Sequence, residues 1–130
     1  MDPTYAVQVA LVARLRELAT AAGGRVYDQP PKSAVFPYIT IGPAQTIPID
    51  ELCSDGSDQS VQIDVWSRAV GFPEVKQISG ALRVALHLQP LTIADHVCDR
   101  ITVEATEFSR DPDGLTNRAR IDLLIVTQPI

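Results

Sequence analysis

With 130 residues and a formal net charge of −5, the chain has the length of one domain and an acidic balance that excludes a nucleic-acid grip made of clustered Lys and Arg. It is 45% hydrophobic and 21% charged, an ordinary globular composition, and an aromatic share of 5% leaves the core to Val, Ile, Leu and Ala. No apolar run approaches the roughly 20 residues of a membrane-spanning helix, and no charged-then-apolar signal segment opens the chain, so synthesis in the cytosol is expected, with Cys53 and Cys98 as free thiols.

From Pro3 to about Ala22, Val7, Leu11, Leu15 and Leu18 recur at helical spacing among alanines, which predicts an amphipathic helix. Asp2 is placed to cap it, Pro3 to occupy its first position, and Gly23-Gly24 to stop it. Arg25 to Asp28 reads as a short strand ended by Gln29-Pro30-Pro31. Tyr38 to Ile41 reads as a second strand, led in by Pro37, which holds the chain extended, and closed by Gly42-Pro43. Ala44 to Gln59 is the least regular stretch. Ile47, Pro48, Ile49 and Leu52 are followed by Ser54-Asp55-Gly56-Ser57-Asp58, a turn or loop by composition. Ile47 and Ile49 are either a strand edge packing inward or an exposed patch awaiting a partner.

Ser60 to Ser67 alternates as a strand does, with Val61, Ile63 and Val65 on one face and Gln62, Asp64 and Trp66 on the other. Past Gly71-Phe72-Pro73, a second helix from about Glu74 to Leu88 puts Val75, Ile78, Leu82 and Leu86 on one stripe, with Gly80 its weak point. Gln89-Pro90 breaks it, and Leu91-Thr92-Ile93 is apolar but short. Ile101 to Phe108 and Arg118 to Val126 read as two long strands joined by Asp111-Pro112-Asp113-Gly114, a hairpin turn. The order predicts an α+β fold: one domain over residues 1–130, a largely antiparallel sheet, and two main helices packed on one face.

Chemistry-bearing patterns are sparse. The Asp111–Asn117 run lacks the third acidic or amide position, the placed Gly and the terminal Glu of a calcium loop, so a turn explains it better. Asp50-Glu51 and Asp55/Asp58 fall in a predicted loop without the scaffold of an acid/base pair. His87 at a helix end and His96 in a loop segment belong to no HExxH, and neither GxSxG nor GxGxxG occurs. No catalytic residue, cofactor or metal ligand is expected. A thiol dyad of Cys98 with His87 or His96 is the weakest of the readings.

Several segments in order carry a resemblance: Ala6-Val7-Gln8-Val9-Ala10-Leu11; Arg25-Val26-Tyr27-Asp28 leading to Phe36-Pro37-Tyr38-Ile39-Thr40-Ile41-Gly42; and Val61-Gln62-Ile63-Asp64-Val65-Trp66-Ser67. Gly71-Phe72, Val84-Ala85-Leu86 and Phe108-Ser109-Arg110-Asp111-Pro112-Asp113-Gly114 complete the set. Together they resemble the tail completion or tail terminator proteins of long-tailed phages and gene transfer agents.

That resemblance implies a non-enzymatic subunit of a ring, commonly hexameric, that caps the tail tube and joins it to a head-side connector or stopper protein. It would be assembled in the host cytoplasm and sit at the head–tail junction of the virion. Its partners would be copies of itself, the tail tube protein and the connector, with no membrane involved. A head-to-tail ring needs two different patches per subunit. The candidates are Ile47, Ile49 and Leu52 in the long loop and Asp111, Asp113 and Leu115 at the hairpin tip. Six copies would carry about −30, so DNA would slide through without specific binding. The alternative reading is a small cytosolic protein- or ligand-binding module without catalytic activity.

Overall fold

The computed structural model describes residues 2–51 and 54–130, except the side chains of 50, 51, 54 and 55. Leu52 and Cys53 lie outside the described residues. The elements in chain order are α1 (Thr4–Arg16), β1 (Val26–Tyr27), β2 (Tyr38–Glu51), β3 (Ser54–Ser67), α2 (Pro73–Leu86), β4 (Thr92–Ile93), β5 (His96–Arg110) and β6 (Asn117–Pro129). They form one six-stranded sheet in the order β1-β2-β3-β6-β5-β4. Every pairing is antiparallel except β1 with β2. The fold is α+β, as the element order predicts.

The core lies between the helices and one face of the sheet. Val7, Leu11 and Leu15 of α1 and Val75, Ile78, Leu82 and Leu86 of α2 are buried with Val61, Ile63 and Val65 of β3 and Ala119, Ile121, Leu123 and Ile125 of β6. Both helical stripes and the β3 alternation therefore fall where their periods put them. Arg14 ties the helices together. Its guanidinium donates to the carbonyls of Ala85, Gln89 and Pro90, a cation on the acceptor-rich end of α2.

Four expectations need correction. First, α1 ends at Arg16 and does not run on to Ala22. The N–H groups of Glu17 and Leu18 turn to Arg14 and Leu15, because the chain must swing back so that Ala22 and Val26 can enter the core. Asp2 does receive the Thr4 N–H at 2.8 Å, and the Thr4 hydroxyl as well. Nor is α1 amphipathic: Tyr5 (80% exposed) and Val9 (51%) make its outer face apolar too.

Second, Gly42-Pro43 does not close a strand. It is a bulge between the pairs Ile41↔Ile63 and Ala44↔Val61, and β2 continues to Glu51. A Cβ on Gly42 would stand 3.1 Å from the Gln62 carbonyl oxygen, so a larger residue would push the two strands apart. Third, Ser54 to Asp58 belongs to β3 and pairs with β2 from Glu51↔Ser54 through Ile47↔Asp58. Cross-strand hydrogen bonding overrides the turn-like composition. Fourth, His96 opens β5 and is buried.

The sheet is not bordered evenly. β1 covers only Ile39 and Thr40. The Ile39 N–H donates to the Arg25 carbonyl, so by strand alternation the backbone of Ala44, Thr46 and Pro48 also faces away from β3, and on that edge the Pro48 nitrogen has no hydrogen to give. On the opposite side, the segment after α2 guards β5. Leu88 donates its N–H to the Ile101 carbonyl, and His87 Nδ1 accepts the Val103 N–H at 3.0 Å.

Candidate assembly surfaces

The sheet face turned away from the helices is uncovered. At its centre, Arg118 Nε donates to Asp64 Oδ1 at 2.8 Å, and Gln62 Nε2 donates to Asp64 Oδ2 at 3.0 Å. The Asp64 side chain is 6% exposed, so the expectation of a partly wet face fails at this residue. The Arg118 guanidinium lies 5.0 Å from the Trp66 ring centre, Trp66 stacks on Tyr38, and the Trp66 N–H donates to the Thr40 hydroxyl. Burial of Tyr38 pushes its phenol pKa up. A groove of about 440 Å³ crosses β2, β3, β6 and β5, lined by Pro43, Gln45, Ser60, Val61, Glu104 and Arg120.

The hairpin turn joining β5 and β6 is tightly built. Asp113 Oδ1 accepts the N–H groups of Leu115 and Thr116, both at 2.9 Å, and Oδ2 accepts the Thr116 hydroxyl. The Thr116 N–H, then the Leu115 N–H and the Thr116 hydroxyl, hold the Asp113 carboxyl below the usual Asp range. Gly114 sits at φ +71, where a side chain would be strained. Arg68 anchors the turn: it donates to the Thr116 hydroxyl, approaches Asp113 at 3.9 Å, and lies 4.4 Å over the Phe36 ring, next to the cis Phe36-Pro37 bond.

The predicted contact residues thus fall at opposite ends of the sheet. Ile47 is 52% exposed and opposite Asp58, Ile49 is half-buried opposite Gly56, and Leu52 is outside the described residues. Ile47 does not pack inward. At the other end, Asp111 is half-buried, and Asp113 and Leu115 are exposed, Leu115 at 67%. Near that end lies a cluster the sequence reading missed. Lys76 and Arg110 both lie over the Phe72 ring, at 5.8 and 4.3 Å, and Lys76 also over Phe108 at 5.2 Å. The Phe at the start of α2 and the Phe near the end of β5 were the available signal.

Among the described residues, no group of three or more His, Cys, Asp or Glu is placed to hold a metal ion. His96 Nδ1 is hydrogen-bonded to the Ala94 carbonyl, and Cys98 is buried two positions further along the same strand. No helix among them is long and apolar enough to cross a membrane.

A curled sheet backed by two helices, with its distinctive side chains at strand ends and on an open face, defines a small α+β module. Residues 9–128 match the model of the family described as tail completion protein gp17. The chain belongs to that family: it is a structural protein of phage tail assembly, and its place is the virion tail. The fold is similar to that of a chain from the virion of a native gene transfer agent particle, at TM-score 0.88 and 22% identity, covering 97% of each chain. A second solved chain aligns at TM-score 0.50 and 10% identity over 98% of this chain and 92% of its own. No curated protein matches the sequence.

Proposed function

We propose that copies of this protein close into a six-membered ring that caps the tail tube and joins it to a head-side connector, with DNA passing through unbound. The single domain of residues 1–130 acts as a scaffold without catalytic residues, at the head–tail junction. Membership of the tail completion family, over residues 9–128, carries the reading. The surface is consistent with it: Tyr5 and Val9 on α1, Ile47 on β2 and Leu115 in the β5–β6 turn leave apolar area for neighbouring subunits. The net charge of −5 per copy disfavours adhesion to DNA.

Co-sedimentation with the purified tail tube of its own particle, followed by electron microscopy of tube ends, tests this. A ring of density at one end of each tube is expected. Bare ends, or protein bound along the tube wall, would overturn it.

A further inference from the structure

Two features of this molecule gather like charges, one positive and one negative. The first is the platform of Phe72 and Phe108, which holds Lys76 and Arg110 around the Phe72 ring. Both cations are exposed, and neither forms an ion pair among the described residues. An ammonium and a guanidinium gathered on one ring repel each other, and a carboxylate between them turns that repulsion into attraction.

The second is the β2–β3 hairpin. Its pairing with β6 stops at Ser57, so Ile49 to Glu51 and Ser54 to Gly56 run on past the sheet as a two-stranded arm. The register sets Asp50 directly opposite Asp55, and like charges in that relation destabilise a strand pair. No Lys or Arg occurs between Lys32 and Arg68, whereas Asp50, Glu51, Asp55, Asp58 and Asp64 do.

The arm and the platform cannot meet within one molecule. The arm extends from the end of β3 that begins at Ser54. Phe72 follows the other end, at Ser67, where β6 begins and β5 finishes with Arg110. Fourteen residues of strand separate these ends by roughly 40 Å. Charges that are opposite in sign and lie at opposite ends of one subunit suit a heterologous contact, in which each copy offers a different patch to each neighbour.

We infer that the acidic β2–β3 arm of one copy docks on the Phe72–Phe108 platform of the next, with Lys76 and Arg110 receiving its carboxylates. This rests on the ring reading and names the contact that builds the ring. Exposed Ile47, on β2 at the base of the arm, adds apolar contact beside the two phenylalanine rings.

Three preparations of the full chain, scored for rings on tail-tube ends by electron microscopy, test it. One carries Lys76→Glu with Arg110→Glu, the second Asp50→Lys with Asp55→Lys, and the third is their equimolar mixture. Each variant alone juxtaposes like charges and is expected to lose ring occupancy by about tenfold or more. In the mixture the two alternate around an even-numbered ring with every contact complementary, so occupancy returns. Thermal unfolding checks that each variant is folded, and recovery in the mixture itself excludes misfolding as the cause of loss. Wild-type rings with unaffected variants, or loss without recovery in the mixture, overturn the docking while leaving the ring standing. If the platform variant fails to reach the tube although its copies still associate with one another, the platform belongs to the tube protein and the inference is wrong. Absence of wild-type rings sinks both readings together.

Discussion

Asp64 stands opposite Arg120 in the β3–β6 register, yet its carboxylate bonds to Arg118, two residues along the strand, with Nε and Oδ1 2.8 Å apart. Arg120 turns instead to Asp122 on its own strand, at 3.2 Å. The diagonal choice leaves Arg118 against Trp66 and Asp64 almost wholly removed from water. Removing Arg118 would strand a buried carboxylate. Arg118→Ala is expected to destabilise the fold by about 3 kcal/mol, read as a lower urea midpoint at unchanged m-value. A cost below about 1 kcal/mol would show the pair to be as weak as an exposed one.

In α2, Gly80 is exposed, and a Cβ there would meet no atom within 4 Å. Gly80→Ala is expected to stabilise the protein by about 1 kcal/mol through helix propensity alone. Chemical denaturation measures it, and a destabilised variant would place a contact on that face that the structure does not contain.

Asp113 supplies a pH dependence of known sign. Its acceptor bonds favour the charged carboxylate, so its folded value lies below the ordinary Asp value near about 3.9. The stabilisation is complete above about pH 4 and is lost as pH falls through the lower folded value. Amide exchange at Leu115 and Thr116, corrected for intrinsic rates, should therefore accelerate only in strong acid. In Asp113→Ala those amides should be unprotected at every pH. Equal protection in the variant would mean the turn holds without the carboxylate.

Ile47 makes little use of the core, so Ile47→Thr, which keeps the β-branch, is expected to change stability by no more than about 0.5 kcal/mol. If the subunit contact reaches the base of the arm, the same variant loses ring occupancy on tail tubes. Unchanged occupancy would remove Ile47 from the interface.

What could be read in advance followed from periodicity. Val75, Ile78, Leu82 and Leu86 announce α2, Val61, Ile63 and Val65 announce β3, and Asp111 to Gly114 announces the hairpin, because each is a local pattern tied to backbone geometry. The Ala44–Asp58 stretch failed because nothing local makes it a strand. The end of β2 and the start of β3 pair with each other beyond the bulge, which makes both of them strand, and Gly42-Pro43 looks the same in sequence whether it ends a strand or kinks one. The family was legible through an ordered set of short segments spread along the chain, and the match over residues 9–128 bears it out. Its surfaces were less so. Asp64 and Arg118 are 54 positions apart, and Lys76 meets Phe108 only because α2 folds back over the sheet. No one-dimensional spacing encodes such pairs.

The proline at position 48 has a further consequence. An open strand border is an invitation to unlimited stacking, since each added strand presents the same border again. Here the outward nitrogen of Pro48 has no hydrogen to offer, and on the far side the donor of Val103 and the acceptor of Ile101 are already taken by His87 and Leu88. Copies of this protein are steered away from joining backbone to backbone. A ring of copies, as proposed above, would therefore be built through side chains, whose fixed angles allow an assembly to count its members and stop.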